Sequence, residues 1–446
     1  MKKCIRLTAL LLVLVMTVGL ACGCSSKKED EGQTVYAHLT VGIPHDMDSA
    51  VLEQIKTMIG SIESESGFSF YEDTVVELVP VPAEGTKEYD KFIKNVYNNK
   101  IDIFLGNFSE GFVKLIEDKK IATNVEITDA NSMFAEPQIA SQAVLSREYN
   151  RVGYHIPVIG SYQGVFMNTD VFANAEIAIP TDWATLNDAI AKLKEKGITP
   201  FVAGFADGTE YWLDEMILSE GGVAEHSAVP SKGVVSSWQR AVNDIKKLYN
   251  DGAFNKDVLT ATHADAVQRF INKDAAMIVC SSKDLGAGVD GESVTYMTMP
   301  VTNTGIKKAG TYIGQSEMGF YINSKSLFAD VDDVTKLCAK LIALVVDNFA
   351  NPEWYAQIFD KEGYFPFYKD NADTCMDSAL EQAAWKVISN NDADVPMSNY
   401  LLPHEDFESG LVDVLENEVS VKDYLLNITE KQINALAEQK ALKDKK

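Results

Sequence analysis

Residues 154–172 read YHIPVIGSYQGVFMNTDVF. Two apolar runs, 156–159 and 165–167, have the character of buried strand, yet Gly160, Ser161, Tyr162, Gln163 and Gly164 separate them. A strand packed on both faces has no evident use for a hydroxyl, a phenol and an amide between two glycines, because each unpaired polar group costs free energy when buried. The reading of this stretch depends on where it lies in the chain.

Upstream of it, strand and helix patterns alternate. Residues 37–44 begin a strand, and Asp46 or Asp48 can cap a helix over 51–59, where Val51, Ile55, Met58 and Ile59 recur at helical spacing. A strand over 75–81, a helix over 89–97 and a strand ending at Gly106 and Asn107 follow, which is the order of an α/β unit with a largely parallel sheet. The alternation restarts downstream. Thr181 or Asp182 caps a helix whose stripe is Trp183, Leu186, Ile190 and Leu193 and which Gly197 closes. A strand over 198–204 comes next, and residues 268–282 pass from helix through a turn into another strand. About 410 residues follow the polar stretch 25–34, more than one core usually serves, so two α/β lobes, each with its own sheet, are expected.

The first residues carry Lys2, Lys3 and Arg6, then an uncharged apolar stretch to Ala21, the charge order of a secretory signal and too short for an ordinary membrane span. It ends in ACGCSSKKED, where Cys22 and Cys24 sit among small residues. This resembles a bacterial lipoprotein signal cut before a cysteine that receives a diacylglycerol. Cys24 fits the pattern better than Cys22, and residues 24–34 then form a flexible tether. Cleavage before Cys24 removes three positive and no negative residues, taking the formal charge from −25 to −28. So acidic a chain disfavours nucleic acid and anionic lipid as partners. Only Cys280, Cys338 and Cys375 lie in the body of the chain, which is no disulfide framework.

The motifs KIDIFLG (100–106), GYHIPV (153–158) with GVFMNTDVF (164–172), IPTDWATL (179–186), KGITPF (196–201), FINKDAAMIV (270–279), MTMPV (297–301), GFYINSKS (319–326) and EGYFPF (362–367) occur in that order over nearly the whole chain. Together they resemble the family 1 extracellular solute-binding proteins, the maltose-binding-like receptors of ABC importers. The resemblance implies an α/β, two-lobed periplasmic-binding-protein-like fold of type II, with solute held in a cleft between lobes joined by a hinge. It implies a signal peptide over 1–23, lobe 1 over 35–158 and 304–364, and lobe 2 over 159–303 and 365–446. The opening stretch then becomes a crossing between lobes: Gly160 and Gly164 absorb hinge rotation while Ser161, Tyr162 and Gln163 face the solute. Further crossings are expected near 299–301 and 363–367. Two sugar-stacking positions of the malto-oligosaccharide binders are absent, since Met167 stands where an aromatic is common and Cys280, Ser281 and Ser282 replace a G-x-W.

Candidate ligand-binding residues are His45, Asp46 and Asn107 at strand ends, Tyr162 and Gln163 in the crossing, Trp212, Ser281, Gln315, Glu317, Tyr364 and Tyr400. For Trp212, cleft and core readings have equal support, and Asp46 serves a helix cap as readily as a ligand. Trp183, Trp238, Trp354 and Trp385 lie in helical patterns and read as core. No histidine pair has metal-ligand spacing, there is no C-x-x-C, P-loop or dinucleotide fingerprint, and GQSEMG (314–319) lacks the second glycine of a nucleophile elbow. No metal, cofactor or catalytic residue is therefore assigned. The expected molecule is a monomeric receptor, lipid-anchored on the outer face of the cytoplasmic membrane, that delivers a mono- or oligosaccharide to ABC permease subunits. The alternatives are a receptor for another polar solute and a secreted carbohydrate-active enzyme, for which Asp207, Glu210 and Glu317 are the acids at hand.

Overall fold

The computed structural model describes residues 38–45, 75–106, 110–123, 125–127, 153–228, 230–328, 363, 365–366, 376–389 and 404–443. The signal and tether, the helix expected over 51–59, Cys338, Cys375 and Trp354 lie outside the described residues.

Strands β1 (His38–Pro44), β2 (Val75–Val81) and β3 (Ile103–Gly106) are parallel neighbours, with β1 in the middle. Helices α1 (Lys87–Tyr97) and α2 (Glu110–Glu117) follow β2 and β3. Thr86 starts α1 by accepting the Tyr89 N–H at 3.1 Å, and Tyr89, Phe92 and Val96 recur on its buried face. These side chains pack with Phe104, Phe112 and Tyr321 into one core.

Strand β4 (Ile156–Asn168) runs the whole length of the opening stretch, without a break at its polar centre. After it come α3 (Thr169–Ala175), α4 (Trp183–Glu195), β5 (Thr199–Val202), α5 (Thr209–His226), α6 (Ser236–Asn250) and α7 (His263–Ile271). Then follow β6 (Ala275–Ser281), α8 (Ser282–Leu285), β7 (Val294–Met297), β8 (Ile313–Ile322), α9 (Ser324–Phe328) and β9 (Phe365–Pro366). Helices α10 (Ala379–Ile388), α11 (His404–Leu415) and α12 (Val421–Lys443) end the chain. Asp182 caps α4 through a reciprocal box with Thr185, as that helix's sequence predicts. A second core joins β4, β5 and β6 to α4, α5 and α6, and it takes in Phe407, Leu411, Tyr424 and Leu425 from α11 and α12.

Two separate sheets were the expectation, but the strands form one ladder in the order β2-β1-β3-β8-β4-β6-β5, with β7 and β9 also on β4. β4 and β8 make the difference. They pair antiparallel from Ile156 opposite Phe320 to Gln163 opposite Ile313, so backbone hydrogen bonding continues from one core into the other. Where the cores meet, the register slips twice: Val158 is extra on β4, and Glu317 is extra on β8. β9 pairs with Ile159 and Gly160 at that place. Gly164 serves packing, since a Cβ there would lie 2.7 Å from the Met297 carbonyl oxygen and 2.7 Å from the Tyr296 ring. Asn168 ends the strand by donating its side-chain amide to the Phe270 and Ala275 carbonyls, both at 3.0 Å. Met167 is buried opposite Met277.

Helix α5 is riveted to the segment between β7 and β8. The Ser219 hydroxyl donates to the Pro300 carbonyl and accepts from the Thr302 N–H, while buried Glu220 accepts from Thr302, Thr304 and Arg240. One turn earlier on α5, Glu215 is wholly buried beside Lys307, whose ammonium donates to the Met299 carbonyl. Burial pushes the Glu215 carboxyl up to about 7 against the attraction of Lys307, and burial pushes the lysine down to about 8. Such a pair costs most when one member is removed. Lys307→Met should therefore lower unfolding free energy by about 3 kcal/mol in urea denaturation, and adding Glu215→Leu should restore most of that loss.

Candidate functional site

The carboxyl ends of β5 and β6, the first turns of α5 and α7, and α8 converge where β4 passes between the cores. Gly204 lets the β5–α5 loop reach α7, for a Cβ there would come within 2.0 Å of the Thr262 carbonyl oxygen. Asp207 on that loop accepts the His263 N–H at 2.6 Å, which locks the start of α7 to the start of α5.

Three side chains then meet. The rings of Tyr211 and His263 stack with centroids 4.3 Å apart and planes 16° from parallel. Nε2 of His263 lies 3.1 Å from Oδ2 of Asp284, and the charge of that carboxylate acts on the Tyr211 phenol. Asp284 also accepts the Ser281 N–H at 3.0 Å, so it caps its own helix. Burial alone would push the Asp284 carboxyl up, but the His263 hydrogen bond and the other donors hold it below the usual carboxylate range. Burial and the Asp284 charge push the Tyr211 phenol well up, so it stays a neutral donor. The His263 and Asp284 side chains each keep 17% of their surface exposed, which leaves the cluster open to a solute.

The crossing strand holds this cluster from below. Gln163 donates from Nε2 to the Tyr211 carbonyl at 3.1 Å, and its own carbonyl accepts from the Tyr296 hydroxyl at 2.9 Å. The Tyr162 N–H donates to Ser282 Oγ on α8 at 3.2 Å. An aromatic face rimmed by fixed donors and acceptors is suited to bind a hydroxylated ring. The Cys280 thiol nearby is buried, and burial pushes it far above its usual range, so it is no nucleophile at neutral pH.

Residues 56–326 match the family described as bacterial extracellular solute-binding protein, well over half of the chain. The chain belongs to that family. Solved structures of the same fold include a probable secreted solute-binding lipoprotein from Streptomyces coelicolor, at 14% identity over 89% of this chain and 98% of that one with a TM-score of 0.68. A chitin oligosaccharide binding protein is 17% identical over 91% and 100% of the two chains, with a TM-score of 0.61. A sugar transporter protein from Arthrobacter chlorophenolicus A6 with bound laminaribiose is 13% identical over 90% and 99%, with a TM-score of 0.58. At such identities the likeness is one of fold, the two-lobed α/β fold of these proteins. No curated protein matches the chain.

In this solute-binding protein the side chains expected at the site divide. Gln163 reaches the cluster, and Ser281 adjoins it but is buried. Trp212 does not: it is 1% exposed and wedged edge-on between Phe201 and Phe254, at 4.9 Å from each. Successive helix residues point about 100° apart, so with Trp212 in the core its neighbour Tyr211 turns toward the site. The sequence signal that could have found Tyr211 is this one-residue offset on an amphipathic first turn. Tyr162 is 5% exposed, edge-on to Tyr296 at 4.8 Å and beside Phe166, so it lines the packing beneath the crossing and does not face a solute. His45 lies at the end of β1, with its N–H and Nδ1 on the Val81 carbonyl, apart from the cluster. Gln315 and Glu317 sit on β8 opposite the crossing, Glu317 at the bulge, and their side chains are outside the described residues, as are Asp46, Asn107, Tyr364 and Tyr400 altogether.

The two tyrosines should therefore separate by measurement. Tyr162→Ala should lower the stability of the empty protein by about 3 kcal/mol in thermal or urea unfolding, as for a core aromatic. Tyr211→Ala, at the rim, should cost the empty protein much less.

Proposed function

We propose that this chain is a lipid-anchored extracellular receptor that binds a neutral mono- or oligosaccharide and presents it to the permease of an ABC importer, without chemistry of its own. The observation that carries the reading is the Tyr211–His263–Asp284 cluster beside the strand common to both cores. A pyranose offers a CH face to an aromatic ring and hydroxyls to the polar groups around it. The fold neighbours that bind chitin oligosaccharide and laminaribiose lend support. In this reading lobe 1 comprises 35–158 and 304–364, lobe 2 comprises 159–303 and 365–446, and Asp46, Asn107, Tyr364 and Tyr400 approach the solute from around the cleft. A solute that touches both lobes gains contacts only in the closed form, so occupancy shifts the open and closed populations by the difference in affinity. The anchor is the lipid on Cys24 or Cys22, and among the described residues no helix is long and apolar enough to cross a membrane.

Asp207, Glu210, Asp214 and Asp284 gather on or near the first turns that carry Tyr211, which sets a negative field against anionic solutes. A thermal-shift screen should find a neutral sugar that raises the melting temperature by a few degrees, since ligand at 100 times its Kd adds about 2.7 kcal/mol to the native state. The corresponding uronic acids should give no shift. Equal stabilisation by uronates, or none by any sugar, would overturn the reading. The anchor is tested apart from the ligand: replacing Cys22 and Cys24 together with alanine should move the protein from the membrane fraction to the medium, and unchanged fractionation would sink it.

A further inference from the structure

We infer that His263 is a positioning residue for solute binding, whose ring backs one face of Tyr211 and ties it to the frame around the crossing strand. The inference rests on the sugar-binding reading of this site. Tyr211 stands on the first turn of α5 and His263 on the first turn of α7, and their rings lie 4.3 Å apart with planes 16° from parallel. A stack by itself would let the two rings swing together. His263, however, is fixed at two further points: its backbone N–H donates to Asp207 at 2.6 Å, and its Nε2 lies 3.1 Å from Oδ2 of Asp284 on α8. A carboxylate only accepts, so Nε2 carries the proton of that bond. Helix α8 is in turn seated on β4 and on the segment that leads into β9. Ser282 Oγ accepts the Tyr162 N–H at 3.2 Å, and Gly363 lies so close that a Cβ there would come within 2.1 Å of the Ser282 carbonyl oxygen. Support therefore runs from β4 through α8 and Asp284 to His263, and from His263 to the Tyr211 ring. The Tyr211 backbone is held separately, by Gln163. A ring backed in this way loses little rotamer freedom when a solute stacks on its opposite face.

His263 thus acts through Tyr211, not by a contact of its own with the solute. Substitutions at His263 keep the backbone N–H that Asp207 accepts, so they change the ring alone. With the best neutral sugar from the screen, calorimetry should show His263→Ala weakening binding about tenfold, with His263→Phe, which keeps a stack but loses the bond to Asp284, in between. In a Tyr211→Leu background, His263→Ala should cost almost nothing further, because the ring that it positions is gone. Affinity unchanged by His263→Ala would overturn the inference, and so would an equal loss with and without Tyr211, which would make His263 a direct contact. A second arm uses the empty protein. With isotope-labelled tyrosine, and Tyr211→Phe to assign the signal, NMR relaxation should show the Tyr211 ring ordered in the wild type, mobile in His263→Ala and intermediate in His263→Phe, while most other tyrosines keep their order. A Tyr211 ring as ordered without His263 as with it overturns the positioning claim even if binding falls. Should no sugar bind the wild type, the sugar reading fails by itself. This arm then still decides whether His263 positions Tyr211, as it does if the Tyr211→Leu variant binds too weakly to compare.

Discussion

The antiparallel ladder between β4 and β8 is the constraint on which the rest depends. It supplies backbone pairing for residues 160–163, which lie between two cores, while β6 pairs with Gly164, so the polar stretch can pass through the interior as strand. Because both strands bulge where the cores meet, the ladder is continuous in hydrogen bonding but interrupted in register. A bulge bends its strand and increases the local twist, so the ladder changes direction at this joint. β9 pairs with β4 at the same point, which brings a third segment of the chain to the joint.

The candidate site inherits its geometry from that ladder. Gln163, the last β4 residue paired with β8, is also paired with Ser281 at the end of β6, and its side chain holds the backbone of Tyr211. Movement of the crossing strand is thereby coupled directly to the first turn of α5. The same helix is fastened farther along to the 299–307 segment through Ser219, Glu220 and the Glu215–Lys307 neighbours, so it touches both chain segments that lead between the cores. Tyr211 thus sits on an element connected to two of the chain segments that run between the cores.

Much of the fold was legible in the sequence because periodicity and caps are local. The stripe of α4, its Asp182 cap and the parallel β1–β2–β3 unit follow from residues within a few turns of one another. The side chains of the site were harder. Trp212 and Tyr211 are adjacent aromatics at a helix start, and which of them enters the core depends on Phe201 and Phe254, one on β5 and the other beyond α6. Tyr162 has the composition of a cleft residue, but Tyr296, brought in by β7, covers it. Asp284 reads as an ordinary cap of a short helix, and only the approach of α7 gives it the His263 ring as a second partner.

Sequence by itself determined the α/β class, the family, and the presence of an unusual polar crossing at residues 160–164, since hydrophobic period, helix caps and ordered motifs are properties of contiguous residues. Tertiary structure alone decided that the sheets fuse into one ladder, that Tyr162 and Trp212 are packed away, and that Tyr211, His263 and Asp284 form a cluster. The physical reason is that stacking, burial and a carboxylate bonded across helices depend on contacts between segments 20 to 50 or more residues apart, a separation over which no local pattern records which side chain will meet which.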